Sequence, residues 1–130
     1  MAMSRDEVYE KVQVVLEDAL GVDPDEVTPE ATIGPDLGAE SIDFLDIAFR
    51  LEKEFEIKIE QEQMMPMNLL NDPKYVQDGR VTDAGMAELK SRMPHADLGE
   101  FEESRLVEDF PKVFTVDAVV KFVQSRLARA

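Results

Sequence analysis

Asp36-Leu37-Gly38-Ala39-Glu40-Ser41-Ile42-Asp43-Phe44-Leu45-Asp46-Ile47-Ala48-Phe49-Arg50-Leu51 reads as a glycine turn running directly into an amphipathic helix. Gly38 tolerates the positive φ that a sharp helix entry requires. Ser41 falls at the helix start, where small oxygen-bearing side chains satisfy free backbone N–H groups. Phe44, Ile47, Ala48, Leu51 and Phe55 then recur at helical spacing, and Ile42, Leu45 and Phe49 are expected to widen that apolar stripe. Glu40, Asp43, Asp46, Glu52, Glu54 and Glu56 supply the opposite face. Taken alone, Gly-x-x-Ser is an ordinary helix cap.

Working toward the N-terminus, Asp6 to Leu20 forms a first helix, with Val8, Val12, Val15, Leu16 and Ala19 on one face. Ser4 or Asp6 caps it and Gly21 follows its end. A long loop from Gly21 onward carries Val22, Val27 and Ile33 as pins into a core. Beyond the central helix, Ile57-Lys58-Ile59 reads as a short extended segment, isoleucines inward around an exposed lysine. The last helix runs from Thr115, its cap, to Leu127, burying Val116, Val119, Val120, Phe122 and Val123.

Between these lies a segment of different character, about residues 61–112. Met64-Met65-Pro66-Met67-Asn68-Leu69-Leu70 is a proline-broken apolar run, and its methionines suit core packing. Asp78-Gly79 marks a tight hairpin within Val76–Val81. Thr82 caps a helix over Asp83–Met93 with Met86, Leu89 and Met93 on one face, ended by Pro94. His95 to Pro111 lacks periodicity, holds Glu100, Glu102 and Glu103, and is expected to be a surface loop with His95 exposed.

The whole chain has 130 residues and a formal net charge of −15, with no cysteine. No apolar run reaches the ~20 residues of a membrane span, so no membrane insertion is expected. The start lacks a signal-peptide core, and a cytoplasmic protein is the expectation. Clustered Lys and Arg for nucleic-acid backbones are missing, so no nucleic acid is expected as a partner. The acidity concentrates in residues 1–60, which hold 17 acidic and 5 basic side chains. Such a field attracts partners with basic surfaces.

Several catalytic and metal readings fail. With Gly79 at the sixth position of a calcium loop, Lys74, Val76 and Gly85 fall where oxygen ligands are required. The single histidine permits no His pair for zinc, and no Ser-His-acid triad is apparent around Ser41. No metal site and no catalytic residue are assigned.

The string Asp-Leu-Gly-Ala-Glu-Ser-Ile-Asp-Phe-Leu-Asp resembles the Asp-Ser-Leu signature of acyl carrier proteins, with Glu40 in place of the usual Asp and Ile42 in place of Leu. The resemblance runs from about Val8 to Ile59 and resumes from about Phe114 to Leu127. It implies an all-α, four-helix carrier bundle with a long loop after helix 1 and a partly helical insert before the last helix. Residues 1–130 would then be one carrier domain, its core at 4–60 and 113–128. The resemblance further implies that Ser41 takes 4′-phosphopantetheine from coenzyme A, and that the chain is a substrate of other enzymes rather than an enzyme. The implied partners are a phosphopantetheinyl transferase and acyl-handling enzymes (ketosynthase, acyltransferase, acyl-ACP synthetase), with acyl chains as cargo. Asp36, Glu40, Ile42, Asp43, Asp46 and Glu52 stand as partner-recognition residues, and Phe44, Leu45, Ala48, Phe49 and Val120 as the acyl pocket.

Arg50 and Lys53 depart from the wholly acidic helix of the family, and Phe49 is larger than its usual residue. The string looks most like specialised carriers of long or hydroxylated acyl chains in bacterial lipid A assembly. The insert reads as a structural extension or partner surface, or else as a cover for a long chain. Rival functions are a polyketide or peptidyl carrier, an unmodified helical binding module, and a small hydrolase using Ser41.

Overall fold

The computed structural model describes residues 4–59 and 67–129. Helix α1, Arg5–Leu20, starts at Ser4, whose Oγ accepts from the Glu7 N–H while the Glu7 carboxylate accepts from the Ser4 N–H. This reciprocal cap satisfies two otherwise free donors. Gly21 ends the helix in the left-handed conformation. The face carrying Val8, Val12, Val15 and Leu16 is buried against α2 (Ser41–Phe55) and against the C-terminal helix.

The long loop between α1 and α2 is packed. Val27 and Ile33 are buried, and a turn of 3₁₀ helix at Pro24–Glu26 sits near its start. Backbone bonds then stitch it to the entry of the last helix: the Ile33 N–H donates to the Phe114 carbonyl and the Val116 N–H to the Ala31 carbonyl, at 3.0 and 2.9 Å. Anchored in this way, the loop leads into α2 with Phe44 against Phe114, just before the last helix.

The insert is built of short elements. Met67–Asn71 is 3₁₀ helix; Met64, Met65 and Pro66 lie outside the described residues. Strands β1 (Val76–Gln77) and β2 (Arg80–Val81) pair antiparallel, with Val76 opposite Val81. Asp78 and Gly79 at the turn both have positive φ, as the Asp-Gly dipeptide predicts. Helix α3, Asp83–Arg92, is capped by the Thr82 hydroxyl, which accepts from the Gly85 N–H. Met86, Leu89 and Met93 are buried as expected.

His95 to Pro111 is not a surface loop. It contains α4, Gly99–Ser104, and the start of a 3₁₀ segment, Val107–Val113. Leu98, Phe101 and Phe110 are buried, and the Phe101 and Phe110 rings meet edge to face at 5.6 Å. His95 is only 7% exposed, its ring edge-on to Phe122 at 4.9 Å. The elements are one or two turns long, too short for a hydrophobic period to emerge, so their burial comes from packing on a neighbour.

Helix α5, Val116–Arg129, is capped by Thr115, whose hydroxyl accepts from the Ala118 N–H. Val116, Val119, Val120, Phe122 and Val123 are all buried. The fold is all-α, as expected, and a single apolar cluster includes Val8 of α1, Leu51 of α2, Leu89 and Phe110 of the insert, and Val120 of α5.

Candidate functional site

The approach to Ser41 is built by short-range bonds. Thr32 and Asp36 clasp each other: the Thr32 N–H donates to the Asp36 carboxylate at 2.9 Å, and the Asp36 N–H donates to the Thr32 hydroxyl at 3.0 Å. The Thr32 backbone bond, then the Thr32 hydroxyl, hold the Asp36 carboxyl below its ordinary range. Gly38 follows with φ +78 and open space where a Cβ would stand, its N–H bonded to the Gly34 carbonyl. Leu37 is buried beside it and anchors the turn. Glu40 then caps α2, and the Asp43 carboxylate accepts from the Glu40 N–H at 2.8 Å. Ser41 is the first residue of the helix.

The expected apolar stripe divides in two. Phe44, Ile47, Ala48, Leu51 and Phe55 are buried, and Phe44 meets Phe114 with ring centres 5.4 Å apart. Ile42, Leu45 and Phe49 do not widen that stripe. They are 74%, 59% and 54% exposed. At 100° per residue they lie past the edge of the surface that α1 and Phe114 cover. The five expected acyl-pocket residues therefore do not converge. Phe44 and Val120 are core, Leu45 and Phe49 are outside, and Ala48 touches both regions.

Outside, Ile42, Leu45, Asp46, Ala48, Phe49, Glu52 and Ile59 line an open groove of about 430 Å³. Ile59 is buried at its end, with Lys58 exposed, as the extended segment predicts. None of the described insert residues lines it. Of the expected recognition residues, Asp36, Glu40, Ile42 and Asp46 are exposed, and Asp43 and Glu52 half-buried. The groove brings Ile42, Asp46 and Glu52 together; Asp36, Glu40 and Asp43 lie at the turn and first helical turn.

A family model described as "Phosphopantetheine attachment site" matches residues 10–68. An acyl carrier protein of Thermosynechococcus vestitus is 37% identical over 70 residues, 54% of this chain and 86% of that relative. That of Helicobacter pylori is 37% identical over 75 residues, 57% of this chain and 96% of the relative. The chain belongs to the acyl carrier protein family. Its cofactor is accordingly covalently attached 4′-phosphopantetheine, and by family it is a carrier rather than an enzyme, met by a phosphopantetheinyl transferase and by acyl-handling enzymes.

The residues around α2's start fit that group. Backbone N–H groups at a helix N-terminus and the positive end of its dipole favour a phosphodiester there. Residues 36–49 contain no Lys or Arg to act as a cationic cradle. A covalently held phosphate needs none. No described helix is long and apolar enough to cross a membrane.

Proposed function

We propose that Ser41 is the attachment residue and that residues 1–130 act as one carrier domain for acyl thioesters in fatty acid or specialised lipid synthesis. The observation that carries this is the placement of the serine: first residue of α2, directly after a left-handed glycine turn, inside the matched segment. In the loading step the Ser41 hydroxyl oxygen forms the new bond to the β-phosphorus of coenzyme A. The pyrophosphate link breaks, 3′,5′-ADP leaves, and the hydroxyl proton passes to a base on the transferase. The arm supplies a thiol that holds acyl groups as thioesters, and this cysteine-free chain contains no competing thiol of its own. Asp36, Glu40, Asp43, Asp46 and Glu52 attract the basic surfaces of the transferase and of the ketosynthase, acyltransferase or acyl-ACP synthetase that handle the cargo, while Ile42 adds apolar contact.

Intact mass after incubation with coenzyme A, Mg²⁺ and a broad-specificity phosphopantetheinyl transferase tests the assignment. One phosphopantetheine on the parent and none on Ser41→Ala is expected. Modification of the Ser41→Ala variant would refute the site, and an unmodified parent beside a modified control carrier would refute transfer by that enzyme.

A further inference from the structure

Along the outermost line of α2, Ile42, Asp46, Phe49 and Lys53 follow one another at helical spacing, apolar and charged in turn. Both cations of the helix are placed on or beside this line. The Arg50 Nε donates to the Asp46 carboxylate at 3.0 Å, and the Lys53 Nζ stands over the Phe49 ring at 4.6 Å. Farther round, Glu54 is met by Lys11 of α1 at 3.0 Å. The charge on this face is therefore ordered along the axis. Glu40, Asp43 and Asp46 make its N-terminal end negative, whereas toward the far end of the Ile42–Leu45–Phe49 groove Arg50 and Lys53 flank the groove-lining Glu52 and make that end mixed in sign.

These pairs are solvent-exposed and individually weak, so holding α2 together does not account for them. Their positions matter more to whatever approaches the groove. A uniformly basic surface would meet attraction at the first two turns, but at the third and fourth Arg50 and Lys53 would repel it and offset the pull of Glu52. Removing Asp46 from its Arg50 partner would add a further cost.

We propose that Arg50 and Lys53 are specificity-determining residues, and that the partner fitting this face is a protein surface of mixed sign. It places an apolar side chain between Leu45 and Phe49, basic groups toward Glu40 and Asp43, and a carboxylate toward Arg50 and Lys53. Uniformly basic partners are disfavoured. The inference rests on the carrier reading, since it assigns a docking partner to the face beside Ser41.

Two helical peptides of equal length and identical apolar residues probe it. One has lysines at both ends; the other has lysines at one end and glutamates at the other. Each is titrated against the phosphopantetheine-loaded parent and the loaded Arg50→Glu/Lys53→Glu variant at low salt, followed by amide chemical shifts. The parent is expected to bind the mixed peptide about fivefold more tightly, with the order reversed in the double variant and both preferences fading at high salt. The same variant should be loaded faster than the parent by a transferase whose docking surface is basic. Identical peptide ranking by the two proteins would overturn the proposal, as would loading rates that do not differ. Failure of the parent to be loaded at all would instead strike the carrier reading, so the two failures are distinguishable. Unchanged α-helical circular dichroism in the variant shows that a change in ranking is not unfolding.

Discussion

Helices α2 and α5 carry similar complements of large apolar residues, yet α5 buries Val116, Val119, Val120, Phe122 and Val123 while α2 leaves Ile42, Leu45 and Phe49 in solvent. The difference lies in their neighbours. Helix α5 is packed by α1, and its Phe122 meets His95 of the insert. The buried face of α2 is covered by α1 and Phe114, whereas among the described residues its outer face forms the open groove. Exposed apolar residues grouped beside acids on one face are available for transient contact, at no cost to the core. The described insert residues thus reinforce the α5 side of the molecule, and none of them lines the α2 groove.

That contrast is breakable by substitution. The largest effect should come from Phe110→Ala, which removes a fully buried ring that meets Phe101 edge to face. A loss of about 3–5 kcal/mol is expected in denaturant unfolding; a loss below about 1 kcal/mol would mean that the insert is not integral to the core. Next comes Gly85→Ala. A Cβ at Gly85 would stand 2.4 Å from the Tyr75 carbonyl oxygen and 2.6 Å from a Val81 methyl. Backbone must shift, and a cost of about 1–3 kcal/mol is expected by thermal unfolding.

A smaller, pH-dependent effect should follow Asp117→Asn. Burial works to raise the Asp117 carboxyl, but bonds from Arg5 and Lys121 prevail and hold it below its ordinary range. With the folded pKa depressed, its contribution is present at pH 7, above the unfolded value, and is lost as pH falls through the folded one. The variant should therefore be less stable than the parent at pH 7, with the gap closing below about pH 4. An equal deficit across that range would break the argument. The smallest effect on stability should be that of Phe49→Ser, within about 0.5 kcal/mol of the parent. A marked fall in melting temperature would show that the outer face of α2 is covered after all.

Much of the scaffold was legible because its signals are local. Ser4, Thr82 and Thr115 cap helices as their positions predict, Asp78-Gly79 turns a hairpin, and α1 and α5 show their buried faces as helical periods. The stretch from His95 to Pro111 was not legible, because six or seven residues do not display a period and the burial of Phe101 and Phe110 depends on segments distant in sequence. His95 misled for the same reason: a histidine after a proline among acids reads as surface until Phe122 is brought beneath it.

At the candidate site the division is similar. By itself the sequence determined the glycine turn, the helix beginning at Ser41, the acidic bias and the apolar content of α2, since backbone conformation and periodicity are properties of neighbouring residues. Only the tertiary structure decided which apolar residues are core and which are surface. That choice depends on how far round α2 its neighbours reach, and the reach is set by the packing of α1 and Phe114.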